Sequence, residues 1–156
     1  MKVKKRNLFL ILSVIDDLSN KQVSPRFGYA LAKNKAKIKD EVEAIKEVGK
    51  FSDDYKRFEA ERAKLCNEYG EKNEDGTPKI ENNVYVIVNK DEFDNKFKEL
   101  REQNKDVIAE QEKRMQEVET ILDEEIDIEW YRIKLEWFPE YMMQSQIEIL
   151  ADMIDE

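Results

Sequence analysis

The residues whose types and spacing come closest to a catalytic or metal-binding pattern are acidic. They bunch at residues 123–125 and continue at Asp127 and Glu129. Paired carboxylates can transfer protons or ligate divalent cations. The sequence contains no histidine, which is the usual general base and the commonest metal ligand, and no second cluster supports the acidic run. We therefore expect a solvated acidic face here, with no catalytic residues and no bound metal.

The sequence also contains half of a calcium-binding loop. Glu71, Asn73, Asp75 and Gly76 match its first positions, but Asn82 occupies the twelfth, where a bidentate glutamate is needed. We expect a solvated turn instead. A phosphate-binding glycine loop, a nucleophile elbow and a zinc-protease motif are missing from the sequence. The sequence therefore predicts neither an enzyme nor a cofactor.

A single cysteine, Cys66, excludes an internal disulfide and a zinc site of several cysteines within one chain. A reactive thiol needs a cationic neighbour or a helix start. Cys66 lies inside a long helix-patterned segment, so we expect it to be a small apolar residue of that helix.

Charge is unevenly distributed along the 156 residues. Charged side chains make up 40% of the chain, with only four glycines and three prolines, a composition that suits long exposed helices in one domain, residues 1–156. Residues 1–39 carry ten Lys or Arg against two Asp, whereas the remainder has a net charge of −17. We expect these parts to pair within the molecule or between copies. The acidic remainder repels phosphate, so direct nucleic-acid binding is not expected.

The N-terminal segment, residues 1–24, begins like a secretion signal, with a basic start followed by an apolar run. Asp16 and Asp17 follow that run directly, and no cleavage site of small residues is present. The run is also shorter than the ~20 residues that a membrane span needs. The apolar spacing predicts a short buried helix over 7–18. We expect no membrane association and a cytoplasmic location.

A first long helical arm is predicted over residues 25–69. Ser24 is placed to cap it, and Pro25 to occupy its first position. Apolar residues follow two helical registers that do not join. The break falls next to Gly49, and Ser52 is available to cap a restarted helix. The pattern is consistent with one kinked helix or with two helices.

The predicted tip, residues 70–89, separates this arm from a second arm over 90–125. Gly70 is expected to follow the last turn of the first arm, and Gly76 to lie in a tight turn. Asn89 is placed to cap the second arm, with a glutamate three residues later that completes a capping box. The two arms are therefore expected to run antiparallel.

Within the tip, residues 79–81 and 84–88 are predicted to form a small β-hairpin. The Asn-Asn pair between them tolerates the left-handed conformation that a two-residue hairpin turn needs. An isolated hairpin is marginal in water. Tyr85 and Ile87 are therefore candidate contacts with the arms or with another chain.

Apolar residues recur at heptad spacing along the second arm, interrupted by Asn104 and Gln111. Polar residues at such positions set register and partner choice in coiled coils. The predicted fold class is mainly α: a long antiparallel helical hairpin, or coiled coil, with a small β-hairpin at its tip. Residues 1–24 and 126–156 are expected to supply short helices packed at its base.

Residues 126–137 alternate apolar and charged side chains. This spacing favours extended chain with a bulge, although a helix through the same residues is an alternative. Pro139 ends the pattern, and a last helix is predicted over 142–153.

Five aromatic residues of this region are candidates for protein binding, because clustered aromatic rings often anchor interfaces. Filling the core at the base is the alternative role for the same rings. The residues are Trp130, Tyr131, Trp137, Phe138 and Tyr141.

The layout resembles a loose group of small uncharacterised proteins from tailed-phage genomes. The resemblance rests on a Tyr-Ala-Leu-Ala-Lys-Asn stretch at residues 29–34, a Glu-Tyr-Gly…Asp-Gly tip at 68–76 and a short apolar end at 126–154. The hairpin shape is also similar to prefoldin subunits, which assemble by β-strand pairing and expose their coils to clients. The additional helices at both ends depart from the prefoldin pattern.

These patterns predict a non-enzymatic, phage-encoded protein that acts by protein–protein binding in the cytoplasm of a bacterial host. A role in virion assembly or in blocking a host factor would fit, with self-association into a homo-oligomer. The alternative is an acidic inhibitor that imitates nucleic acid and occupies a host DNA-binding or defence protein.

Overall fold

The computed structural model describes residues 1–155 and is mainly helical. Its elements in chain order are β1 (Lys2–Lys4), α1 (Lys5–Ser19), α2 (Pro25–Val48), α3 (Asp53–Tyr69), β2 (Ile80–Glu81), β3 (Val84–Tyr85), α4 (Lys90–Gln103), α5 (Lys105–Asp123), β4 (Glu125–Asp127), β5 (Ile133–Lys134), α6 (Gln144–Ile149) and β6 (Ile154–Asp155). Single 3₁₀ turns cover Leu135–Trp137 and Ala151–Met153.

Backbone contacts divide the chain into two compact units. The first unit comprises Met1–Gly49 and Gln116–Glu156, and the second comprises Lys50–Met115. Each unit is described below by itself.

The first unit is built around α1 and α2, which pack against each other. Two short sheets border the helices: β1 pairs antiparallel with β4, and β5 pairs parallel with β6. The apolar stripes of α1 and α2 enclose the core together with the segment that joins β4 to β5. The largest fully buried side chains of this core are Phe27, Leu8, Ile15, Leu18, Leu31, Ile38, Ile133, Leu150 and Met153.

The helix starts follow the local signals in the sequence. The Ser24 hydroxyl accepts a hydrogen bond from the backbone N–H of Phe27, and Pro25 is the first residue of α2. The Ser52 hydroxyl caps α3 in the same way, at 3.1 Å from the backbone nitrogen of Tyr55. Of the two alternatives for residues 25–69, two separate helices are therefore observed. Capping satisfies otherwise unpaired N–H groups, which makes the restart favourable.

The second unit contains α3, the tip, α4 and the first part of α5. The predicted β-hairpin is confirmed: Ile80 pairs with Tyr85, and Asn82 and Asn83 have φ angles of 50° and 63°. Asn89 caps α4, as predicted. Gly70 does not take a left-handed helix-ending conformation; its backbone is extended, with φ −73° and ψ 140°.

The predicted long antiparallel coiled coil is not confirmed. α2 packs against α1 in the first unit, and α3 packs against α4 in the second. Phe58 of α3 and Leu100 of α4 are both buried. The predicted second arm is interrupted at Asn104, between α4 and α5, because this residue departs from helical geometry and its side-chain amide donates to the carbonyl of Leu100 at 2.9 Å. Such side chain–backbone bonds compete with helical ones.

Residues 126–137 are extended with a final 3₁₀ turn, and the helical alternative is wrong. The last helix is shorter than predicted: α6 has six residues, and a 3₁₀ turn at Ala151–Met153 takes the place of its predicted end. The chain is then extended, because Ile154 pairs with Ile133 in the parallel sheet of β5 and β6. A backbone pairing of this kind is invisible to a helical periodicity pattern.

Candidate functional site

The C-terminal part of the first unit carries the aromatic residues predicted to bind a partner, and the structure separates them by exposure. Trp130 is 6% exposed and lies in the core, and Trp137 and Phe138 are half-buried against it. Tyr131 and Tyr141 are exposed to solvent, at 36% and 49%. The two roles considered for these rings are therefore divided among them.

Asn34 joins α2 to this segment. Its side chain is fully buried, its amide nitrogen donates to the carbonyl of Tyr131 at 2.9 Å, and its oxygen accepts from the N–H of Tyr131 at 2.7 Å. The two bonds satisfy both backbone groups of one residue in the manner of a strand pairing. The backbone of Tyr131 is therefore held at a fixed position on α2.

Tyr29 and Tyr131 form an exposed aromatic pair on this support. Their ring centroids are 5.7 Å apart at an interplanar angle of 82°, the edge-to-face geometry that aromatic quadrupoles favour. The ammonium of Lys33 lies 5.8 Å from the centroid of the Tyr29 ring, within cation–π range. Tyr29 is 55% exposed. Rings that are held in place before binding lose little conformational entropy when they meet a partner.

Cations flank the tyrosine pair on one side of α2. Arg26, Tyr29, Lys33 and Lys37 are spaced so that they share one face of the helix, and all four are exposed. Within residues 1–155, the three cations form no ion pair. We refer to these four residues and Tyr131 as the aromatic–cationic face.

An apolar groove with a volume of about 530 Å³ opens beside the first turn of α2. Its floor is fixed by the packing of Phe138 on Phe27, with ring centroids 5.1 Å apart. At one end the hydroxyl of Tyr141 donates to the carbonyl of Gln22 at 2.9 Å. We refer to it as the Trp137 groove. Its lining consists of Gln22, Val23, Ser24, Pro25, Arg26, Glu136, Trp137, Phe138 and Pro139. Arg26 belongs to both surfaces, so the groove and the aromatic–cationic face are continuous.

The acidic run faces the basic N-terminus of the same chain. Lys5 lies 2.8 Å from carboxylate oxygens of both Glu41 and Glu124, and Arg6 lies 2.8 Å from Asp123. The hydrogen bonds that the ammonium of Lys5 donates to Glu124 and Glu41 raise the pKa of Lys5. The predicted pairing of basic and acidic parts is thus observed within the molecule. The carboxylates of this run at residues 123–125 and 127 are therefore paired with N-terminal cations of the same chain.

The candidate residues of the tip lie in the second unit. Tyr85 is half-buried and borders a shallow groove on α3, and Ile87 is half-buried where its strand meets Gly70. Side chains alternate along a strand, so Val84 and Val88 lie on the opposite side, where they are 65% and 72% exposed. The apolar surface that the tip presents to solvent therefore includes Ile80, Val84 and Val88, beside the predicted residues.

The half calcium loop forms an exposed turn. The Asp75 carboxylate accepts from both the hydroxyl and the backbone N–H of Thr77, at 2.6 and 3.0 Å, and Gly76 has a φ of 81°. These hydrogen bonds, the side-chain one first, lower the pKa of Asp75. Among residues 1–155, no group of three or more Asp, Glu, Cys or His side chains is arranged to hold a metal ion.

Sequence reasoning missed Arg26, Tyr29 and Lys33 as site residues. Two signals were present. A tyrosine stands among lysines on the polar side of α2, and Asn34 interrupts the apolar stripe of that helix. The Tyr-Ala-Leu-Ala-Lys-Asn stretch at 29–34 thus combines an exposed ring, two core residues and the amide that holds Tyr131.

In comparisons with known proteins, no protein-family model, curated protein or solved structure gives a significant match to this chain. Among the helices of residues 1–155, none combines the length and the apolar character that crossing a membrane requires.

Proposed function

We propose that the protein is a non-enzymatic binding protein that contacts another protein through the aromatic–cationic face and the adjoining Trp137 groove. The observation that carries the proposal is the buried Asn34, whose two hydrogen bonds to Tyr131 hold an exposed tyrosine pair in place. Tyrosine, tryptophan and arginine are the residues most enriched at the energetic centres of protein interfaces. All three border this one surface.

Packing of the core does not require the tyrosine pair. Tyr29 and Tyr131 are exposed, whereas the core beneath them is filled by Phe27, Leu31 and Trp130. Exposed rings with neighbouring unpaired cations are characteristic of recognition surfaces.

The proposed setting is the cytoplasm of a phage-infected bacterium, where the protein takes part in virion assembly or blocks a host factor. This setting rests on the sequence resemblance to small tailed-phage proteins. Self-association is part of the proposal, and the exposed Val84 and Val88 of the tip are a second surface that supports it.

The alternative function, imitation of nucleic acid by rows of carboxylates, has less support. In the acidic run, the densest carboxylate cluster of the sequence, Asp123 and Glu124 are engaged by Arg6 and Lys5. A mimic needs its negative charges free to meet a DNA-binding surface. A mimic would lose affinity steeply with salt, whereas aromatic anchoring would not.

Pulldown from a bacterial lysate, combined with size-exclusion chromatography and light scattering, tests the proposal. The double variant Tyr29→Ala/Tyr131→Ala keeps the Asn34 bonds, which involve only the backbone of residue 131. Loss of each anchoring tyrosine is expected to weaken partner binding by about 2 kcal/mol, or about thirtyfold. The partner recovered with the wild-type protein should therefore be lost from the variant.

Phe51→Ala/Tyr55→Ala is the matched control, because it removes an aromatic pair of the second unit, with ring centroids 5.1 Å apart, that lies outside the proposed surface. Circular dichroism should show that both double variants retain their helices. If the tyrosine variant recovers the same proteins in the same amounts and has the same oligomer size, the proposed surface is wrong.

A further inference from the structure

We infer that the aromatic–cationic face and the Trp137 groove together bind an extended acidic peptide segment, which inserts an apolar side chain into the groove. This inference rests on the proposed function and specifies the chemistry of the partner. This surface combines unpaired cations, exposed tyrosines and an apolar groove within the described part of the chain. A ligand that complements it needs negative charges and an apolar side chain.

The acidic character of the ligand follows from the charges. The whole protein carries a net charge of −9, yet Arg26, Lys33 and Lys37 stand in a row on α2 without carboxylate partners in the described part of the chain. Lys35, on the adjoining side of the same helix, does have a partner, since it lies 2.6 Å from Asp16. A row of unpaired cations on an acidic protein attracts negative charge locally.

The apolar anchor follows from the groove. Pro25, Val23, Trp137, Phe138 and Pro139 give it an apolar lining, and aromatic–proline grooves are a recurrent way to hold extended peptides. Glu136 also lines the groove. The acidic residues of the ligand are therefore expected to lie toward α2, and the apolar side chain toward Trp137.

Single-stranded nucleic acid fits this surface less well, although it is also acidic. Bases bind to proteins by stacking on free ring faces. Lys33 lies over the ring of Tyr29, and the other tyrosine meets it edge-to-face. A second copy of the chain also fits less well, because its acidic run at residues 123–125 pairs with its own N-terminal cations.

Selection from a displayed library of random linear peptides on the immobilised full-length protein tests the inference. Enriched peptides are expected to combine several Asp or Glu with a Phe, Leu or Trp. The most enriched peptide, labelled with fluorescein, is then titrated with the protein by fluorescence anisotropy. The Arg26→Glu/Lys33→Glu variant should bind it at least about tenfold more weakly, and added salt should weaken wild-type binding.

Lys98→Glu/Lys113→Glu is the matched control, since it makes the same change in net charge at two exposed lysines of the second unit. It should bind the peptide like the wild-type protein. Tryptophan emission locates the ligand independently. The peptide should shift the emission of the wild-type protein to shorter wavelength, and Trp137→Phe should abolish that shift while Trp130 stays in place.

Several outcomes overturn the inference. Enriched peptides without acidic residues, equal binding by the two charge-reversed variants, or no enrichment over an unrelated immobilised protein would each do so. Binding of labelled oligothymidylate that depends on Arg26 and Lys33 would assign the face to nucleic acid instead. A dimer that only Arg26→Glu/Lys33→Glu dissociates would assign it to a second copy. If the lysate partner depends on Tyr131 while the peptide result fails, the proposed function stands and this inference falls.

Discussion

Replacing Asn34 with alanine is expected to lower the free energy of unfolding of the first unit by about 2–4 kcal/mol. The substitution removes two hydrogen bonds, of 2.7 and 2.9 Å, from a side chain that is fully buried. A buried donor or acceptor left without a partner costs about 1–3 kcal/mol. Tyr131 is partly exposed, so water can partly solvate its backbone groups. The expected loss therefore lies in the lower half of the range obtained by adding the costs of the two unpaired groups. Alanine regains about 0.5 kcal/mol of helix propensity, which is offset by the cost of the cavity that the shortened side chain leaves.

Denaturant titration followed by tryptophan emission measures this loss in the correct unit, because Trp130 and Trp137 both belong to the first unit. Since 1.4 kcal/mol is a factor of ten, the folding equilibrium constant should fall by a factor of about 30 to about 1000. Binding at the aromatic–cationic face should weaken as well, because the backbone of Tyr131 is then no longer fixed.

Two further variants separate the causes. Asn7→Ala changes an exposed asparagine of α1, so its effect should stay within about 0.5 kcal/mol. Asn34→Leu fills the space of the amide without its hydrogen bonds, so it should remain destabilised if the bonds matter and recover if the cavity matters. An Asn34→Ala protein as stable as Asn7→Ala would refute the argument that these two bonds hold the segment.

Three other predictions concern the second unit. Gln111 is 5% exposed, and its amide nitrogen has no hydrogen-bond partner within residues 1–155. Gln111→Met should therefore stabilise the unit by about 1 kcal/mol, measured by urea titration followed by circular dichroism. A loss of stability would mean that the amide forms a hydrogen bond in the folded protein. Thr77→Ala removes the main hydrogen bond that lowers the pKa of Asp75, so carboxyl-carbon NMR should show that pKa rising toward its usual value. Because the pKa of Asp75 is lowered by folding, its contribution to stability is present above the usual carboxyl pKa and is lost as the pH falls through the folded-state pKa; an unchanged titration in the variant would assign the shift elsewhere. Gly70→Ala would place a Cβ atom 2.6 Å from the carbonyl oxygen of Cys66, closer than real Cβ atoms approach. Because the backbone must shift to relieve this clash, hydrogen exchange of the amides at the tip should accelerate. Unchanged protection would show that the backbone adjusts without cost.

Helix starts and tight turns could be predicted from the sequence because their causes are local. Ser24, Ser52 and Asn89 each accept a bond from an N–H group three residues ahead, and the residues involved are adjacent in the chain. The Asn82-Asn83 turn depends on two backbone angles that asparagine tolerates. These features follow from residue type and spacing alone.

The partners of the helices could not be predicted in the same way. The apolar stripe containing Phe27, Leu31 and Ile38 identified the buried side of α2, but it is covered by α1 and the C-terminal segment rather than by a second arm. The hydrophobic effect is nondirectional, so any segment with a complementary apolar surface can stabilise the stripe by covering it. The heptad spacing that predicted a long coiled coil therefore left the choice of partner open.

The candidate site shows the same division. Tyr131, Trp137 and Phe138 were recognised as candidates from their clustering, whereas Tyr29 and Arg26 joined them only through the fold. Asn34 and Tyr131 are 97 positions apart in the chain. No local pattern connects residues at that separation.

The sequence by itself determined where helices begin, where the chain turns, and which sides of its helices are apolar, because short-range hydrogen bonds and backbone angles depend on neighbouring residues. Only the tertiary structure decided that the basic N-terminus neutralises the acidic run. It also decided that Arg26, Lys33 and Lys37 lie near two tyrosines without an ion-pair partner among residues 1–155. The physical reason is that both outcomes depend on which distant segments share a core, and a nondirectional force selects those segments by overall fit.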